Sequence, residues 1–277
     1  MPKAIGIYRE IEMASKPAAD KIILDLTAKE LKKKGFKVST IFPSQFIKDK
    51  VGDTRDFDLI FTMAREVFIN DYLSLIREYK NVFMINSPAA IRVSFNRFLT
   101  YEKVAKAGVR TPKFKVYNVN DIRFTDIRGS VFLRPLTGHE VWFMVDKEFH
   151  FKEVIKIYKD MGIKELMVQE FIKGEDLKFY AIGEKVIIPE AYRKIFPEKT
   201  VKEIEKNVLA IEKTSGLKIL GGDFVIDPKD NYKVYCVDIN DWPSFGTIGE
   251  FSQEEAATEI ANLIVDEFEN HRKKLNR

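Results

Sequence analysis

Cysteine and histidine are scarce in this chain, and each scarcity closes off a class of chemistry. Cys236 is the one cysteine in 277 residues, so no internal disulfide framework can form and the sequence suits a reducing cytoplasm. It sits among β-formers, where a buried structural thiol is expected rather than a nucleophile. Of three histidines, His139 has no metal-ligating partner at helical spacing, which argues against zinc. No apolar run approaches the roughly 20 residues of a membrane span. No basic segment followed by an apolar one opens the chain, so neither membrane anchorage nor export is expected. Strong charge of one sign is also missing: 46 Lys and Arg face 42 Asp and Glu, a net charge of +4. The basic residues do not cluster as a nucleic-acid face would require, and the slight excess favours an anionic small molecule. After the first apolar run stands Gly6-Ile7-Tyr8-Arg9, so a dinucleotide-binding glycine fingerprint is absent as well. There is no internal repeat and no low-complexity linker; a homo-oligomer is left open.

What is present is a globular composition, 45% hydrophobic, 32% charged and 12% aromatic, with length for two or three modest domains. The first 86 residues alternate strand and helix. Strands are expected at Lys3 to Tyr8, Phe36 to Phe42, Asp58 to Met63 and Val82 to Ile85. Helices are expected at Pro17 to Lys34, stopped by Gly35, and at Val67 to Tyr79. That alternation predicts a parallel sheet covered on both faces. Ligands of such sheets lie beyond the carboxyl ends of the strands, which points at Arg9 and Arg65 as substrate residues. Pro88 opens a second unit: a helix from Ala89 to Gly108 broken near Ser94, then a mixed segment including Val131 to Pro135 and the helix Glu148 to Met161. The last unit is expected to start near Leu166 with the strand Met167 to Phe171. A hairpin, Leu177 to Ile182 and Lys185 to Ile188, follows, then the helix Val201 to Thr214 and a closing helix from Gln253 to about Asn270.

The most informative stretch is Gly221 to Asp227 answered by Tyr235 to Asn240, two strands around the turn Pro228-Lys229-Asp230-Asn231. Asp238 and Asn240, two residues apart, leave one strand face together. Pairing Asp227 with Tyr232 would set Asp223 opposite Cys236 and on that same face. Three hard oxygen ligands would then converge where Mg²⁺ (or Mn²⁺) carrying phosphates can sit. A one-residue slip would turn Asp223 to the other face. Asp176 and Lys178 share one face of their strand. If Arg193 and Lys194 continue in strand they point oppositely, so one of them faces the cleft.

In their order and approximate spacing, Asn86-Ser87-Pro88, Asn96-Arg97-Phe98, Val131 to Pro135, Val168 to Ile172, Gly222-Asp223 and Asp238-Ile239-Asn240 resemble the ATP-grasp superfamily. The resemblance covers roughly residues 84 to 268. It implies an α/β and α+β chain: a pre-ATP-grasp parallel-sheet domain over 1–87, a central subdomain over 88–165 and a C-terminal subdomain over 166–277. It implies ATP and Mg²⁺, with Asp223, Asp238 and Asn240 as metal ligands. Gln169, Glu170, Phe171 and Ile172 fall on the strand and linker whose backbone reads adenine, and Asp176 falls where an acid binds ribose. Lys178 and Arg193 are the candidate catalytic cations. Two departures stand out. Arg97 and Arg134 occupy positions where the superfamily usually has phosphate-binding lysines, and an arginine fork is not an equivalent point charge. The loop Thr137-Gly138-His139-Glu140-Val141-Trp142 carries a single glycine, so it cannot wrap a triphosphate as a P-loop does, although His139 remains a candidate phosphate contact.

Two subgroups of the superfamily are similar to this chain. Glutamate-ligase-like enzymes share the pattern Asp176-Leu177-Lys178 and make an amide through an acyl phosphate. Inositol polyphosphate kinases of ATP-grasp type share Gly138-His139-Glu140, Lys178 to Glu184 and Asp238 to Pro243, but this chain lacks their dense cationic cluster. The superfamily's usual outcome puts the carboxylate–amine ligase first and the small-molecule kinase second. A non-catalytic nucleotide-binding module follows if the two arginines abolish turnover.

Overall fold

The structure is a computed structural model and describes residues 1–10, 17–48, 57–137, 141–246 and 250–276. Among the described residues the strands form three four-stranded sheets. The first comes from β1 (Lys3–Ile7), α1 (Pro17–Lys33), β2 (Lys37–Ile41), α2 (Pro43–Lys48), β3 (Leu59–Thr62), α3 (Val67–Lys80) and β4 (Phe83–Ile85). Its strands are all parallel, in the order β2-β1-β3-β4. Alternate side chains of β1 and β3 enter different cores: Ala4 and Phe61 join the α1 side, while Ile5, Ile7 and Ile60 pack with Ile69, Leu73 and Ile76 of α3. The expected two-sided burial is what the structure has. Gly35, at φ +88°, ends α1 in a left-handed conformation that glycine adopts without steric penalty.

The expected break in the next helix is at Asn96 rather than Ser94: α4 (Pro88–Phe95) and α5 (Arg97–Lys106) meet there. Asn96 is extended, and its Oδ1 accepts from the Leu99 amide at 3.1 Å, starting α5 as its N-cap. Then follow β5 (Phe114–Asn118), β6 (Val131–Pro135), β7 (Phe143–Val145), α6 (Glu148–Asp160) and β8 (Glu165–Glu170). These strands form an antiparallel sheet in the order β5-β8-β6-β7. The unit boundary expected at 165/166 therefore falls inside β8, which is hydrogen-bonded to β5 and β6. One face of this sheet, with Val131, Leu133, Leu166 and Val168, packs on Phe151, Val154 and Tyr158 of α6.

The third sheet, β10-β9-β11-β12, is antiparallel. It is built from β9 (Glu175–Ile182), β10 (Lys185–Ile187), α7 (Glu190–Ile195), α8 (Glu198–Ser215), β11 (Ile219–Asp227) and β12 (Lys233–Asp241), and α9 (Gln253–Leu275) follows. One face, with Leu177, Phe179, Phe224 and Ile226, is sealed by Ile204, Val208 and Ile211 of α8 and by Ala90 and Val104 from α4 and α5. The other face is divided. At one end Tyr180, Ile182 and Ile219 join Trp242, Ile260 and Ile264 in a core shared with α1 and the first sheet. At the other end it carries polar side chains, and the candidate site lies there. Asn86 links the two sheets: its amide donates to Ile219 O at 2.7 Å and accepts from the Lys218 and Ile219 amides at 2.8 and 3.0 Å.

Candidate active site

The register of the β11–β12 hairpin differs from the expected one, and the difference brings the carboxylates together. Asp227 pairs with Lys233 and Phe224 with Cys236, one residue out of the expected pairing. Continued unchanged, that register would turn Asp223 away from Asp238. A bulge between Asp223 and Phe224 absorbs one residue of β12, and Asp223 lies directly opposite Asp238. Bulges commonly re-aim a side chain in this way beside functional sites. Across β9, Asp223 also faces Lys178, so Lys178, Asp223 and Asp238 form one cross-strand row. The next row is Tyr180, Gly221 and Asn240.

Lys178 Nζ lies 2.6 Å from Asp223 Oδ1. Burial raises the Asp223 carboxyl above its ordinary range, and Lys178 opposes that rise. Burial works against the Lys178 ammonium, but Asp223 outweighs it and the lysine is shifted upward. Asn240 donates from Nδ2 to Asp238 Oδ2 at 2.8 Å. From β6 of the second sheet Arg134 crosses to this row. Its Nη1 donates to Gln169 Oε1 and to Val237 O, each at 3.0 Å, and its Nη2 reaches Asp238 Oδ1 at 3.4 Å. Arg97 is 3% exposed and donates to Pro135 O at 2.6 Å. Among the described residues no carboxylate pairs with it. Burial, and then the charge of Arg134, lower its guanidinium to about 10. Among the described residues the buried Arg97 and the partly buried Arg134 thus have one carboxylate beside them, Asp238.

No family model and no curated protein matches the sequence. Solved structures do. The D-alanine–D-alanine ligase of Bacillus anthracis superposes with a TM-score of 0.78 at 12% identity over 99% of each chain. The RimK domain protein ATP-grasp of Sphaerobacter thermophilus gives 0.73 at 12% identity over 95% of this chain and 99% of that one. The D-alanine–D-alanine ligase of Coxiella burnetii gives 0.73 at 14% identity over 100% and 98%. The chain has the ATP-grasp fold.

Within the ATP-grasp fold the remaining candidates are dispersed. Gln169 is buried against Arg134. The Glu170 and Phe171 amides are engaged by Lys113 O and Ser130 O at 2.8 and 3.1 Å, and Ile172 follows them beyond the strand. Phe171 and Trp142 both meet the Phe132 ring edge-on, at 5.5 and 5.3 Å between centroids, on the face of the second sheet that carries Arg134. Asp176 is exposed, one row from Lys178. The condition on Arg193 and Lys194, that the strand continue through them, does not hold: they lie in α7, which follows Pro189, and Arg193 pairs with Glu205 of α8 at 2.8 Å. His139 lies outside the described residues. Arg9 and Arg65, expected at the sheet edge, do stand there, but each is 7% exposed and engaged. Arg9 contacts Asp20 at 2.6 Å, and Arg65 Nε contacts Asp241 Oδ1 at 2.6 Å. Burial lowers the Arg9 guanidinium, and the nearby Arg65 charge adds to that effect. Sequence reasoning missed Asp241, whose position next to Asn240 was the available signal. Among the described residues no three His, Cys, Asp or Glu side chains form a metal cage. The donor set here is two carboxylates and an amide, all hard oxygens, which fits Mg²⁺ completed by phosphate and water rather than a softer ion.

Proposed function

We propose that the protein is an ATP-dependent carboxylate–amine ligase that activates its acceptor as an acyl phosphate. The observation that carries the ATP reading is the guanidinium pair Arg97 and Arg134, which among the described residues has one carboxylate beside it, Asp238, and adjoins the row Lys178, Asp223 and Asp238. A buried cation without a counter-ion is costly, and a polyphosphate removes that cost. Arg97 and Arg134 would bind phosphate oxygens, and Lys178 would stabilise negative charge on the transferred group. Asp223, Asp238 and Asn240 would hold magnesium, which when bound neutralises phosphate charge as a Lewis acid. The adenine edge would take its donor from Ile172, since the two preceding amides are engaged, with Phe171 and Trp142 offering apolar walls and Asp176 a ribose acceptor. Arg193, held by Glu205, has no part in this reading.

Ligase chemistry is supported by the solved structures of like fold, several of which are D-alanine–D-alanine ligases, one complexed with ATP. The kinase alternative leaned in part on Asp241-Trp242-Pro243, beside Gly138-His139-Glu140 and Lys178 to Glu184, and the fold already employs these three residues. Asp241 pairs with Arg65, Trp242 is fully buried in the shared core, and Pro243 covers Gly221. A trapping experiment decides between the two. An acyl phosphate is open to hydroxylamine and a phosphorylated hydroxyl is not. Incubation with MgATP, cellular small molecules and hydroxylamine is expected to give acceptor-dependent hydroxamate alongside ADP. A phosphorylated polyol without hydroxamate would establish the kinase instead.

A further inference from the structure

Asn240 is fixed at both ends of its amide. Nδ2 donates to Asp238, and Oδ1, the atom available to a metal, accepts from Arg65 Nη2 at 3.4 Å. Arg65 comes from the carboxyl edge of the first sheet, just beyond β3. Its own direction is set by Asp241, 1% exposed, through Nε to Oδ1 at 2.6 Å and Nη2 to the Asp241 carbonyl at 3.3 Å. Arg9, from beyond β1, grips the same turn through the Asp241 and Trp242 carbonyls at 3.4 and 3.3 Å and reaches the Asp241 carboxylate at 3.9 Å, yet it is held by Asp20, and among the described residues no hydrogen bond joins it to Asn240. Two arginines therefore anchor the end of β12, and only Arg65 hydrogen-bonds Asn240.

We propose that Arg65 is a positioning residue for the metal site: it aims Asn240 Oδ1 and thereby makes metal affinity depend on the first sheet. This rests on the assignment of Asp223, Asp238 and Asn240 to magnesium. The oxygen of an amide has two lone pairs, so it can accept from Arg65 and still ligate a cation. Outer partners of this kind typically change metal affinity by about 10–100-fold when removed. Lysine at this position keeps the charge but cannot bridge Asp241 and Asn240 with one planar fork.

The test compares Arg65→Lys with Arg9→Lys. Binding of a non-hydrolysable ATP analogue is followed by calorimetry across a magnesium titration, below the melting temperature of each variant. Arg65→Lys is expected to raise the magnesium concentration for half-maximal effect about tenfold, with binding of the metal-free analogue unchanged. Arg9→Lys is expected to leave the magnesium requirement at the wild-type value. Asp241→Asn, which loosens the aim of Arg65, shifts it in the same direction as Arg65→Lys and serves if that variant does not fold. An unchanged magnesium requirement in Arg65→Lys and Asp241→Asn, or equal shifts in the two arginine variants, would overturn the proposal alone. Nucleotide binding by the wild type without any magnesium dependence would overturn both the proposal and the functional reading beneath it.

Discussion

Arg134 sits close enough to Arg97 to disfavour its charge, and a bound anion would relieve that cost. If that anion is phosphate, Arg134→Ala removes a charge-assisted contact worth about 1.5–3 kcal/mol. The dissociation constant for ATP, measured by calorimetry, should then rise by on the order of tenfold or more. Wild-type affinity in the variant would make Arg134 a tie between β6 and β12 and nothing else. Residues of this kind were legible in the sequence because their meaning is local: Arg134 ends a short apolar strand, and Asp238 and Asn240 share a face by simple alternation. Arg9 and Arg65 were legible only in part. The rule of strand carboxyl ends located them, but their partner Asp241 lies 232 and 176 residues away. Local pattern carries no information about an ion pair made across that distance.

The bulge in the β11–β12 hairpin decides which carboxylates meet, and Gly222 is what the backbone there requires. A Cβ on Gly222 would overlap the Asp238 carbonyl and lie 2.8 Å from the Phe179 ring. Part of that contact is backbone, so no rotamer change relieves it. Gly222→Ala should destabilise the protein by about 1–3 kcal/mol, as overpacking of a well-filled core does. The lower midpoint in a denaturant titration should be accompanied by weaker MgATP binding, because the strain falls on the strand that carries Asp238. An unchanged midpoint would mean that the hairpin tolerates a wider spacing. The two strands and their turn were evident from β-branched and aromatic runs around Pro228 to Asn231. Their register was not read, although the extra residue leaves a trace in β12, where the buried positions change phase from Val234 and Cys236 to Ile239 and Asp241. Arg193 was placed on the cleft only if the strand continued; instead Glu190–Ile195, with Glu, Ala, Arg and Lys as good helix formers, makes the short helix α7 against α8.

The molecule is knit more tightly than a chain of separate units. The first sheet and the third share one core through α1, α9 and Trp242, while α4 and α5 pack on the third sheet although β5 to β8 between them build the second. The parallel first sheet and the order of later elements were readable because periodicity and turn residues report them. The shared core was not, because nothing in α9 names α1 as its partner. The consequence for function is that the site draws on all three sheets: Arg134 from the second, Lys178, Asp223 and Asp238 from the third, and Arg65 behind Asn240 from the first. Whether this assembly binds MgATP is read from the melting temperature with and without MgATP for the wild type and for Asp238→Ala. A ligand present at a hundred times its dissociation constant stabilises the folded state by about 2.7 kcal/mol. A clear upward shift is expected for the wild type and its loss in Asp238→Ala, whose own melting temperature without nucleotide should fall because Arg134 and Arg97 lose the carboxylate beside them. An undiminished shift in the variant, or none in the wild type, would contradict MgATP binding at this site.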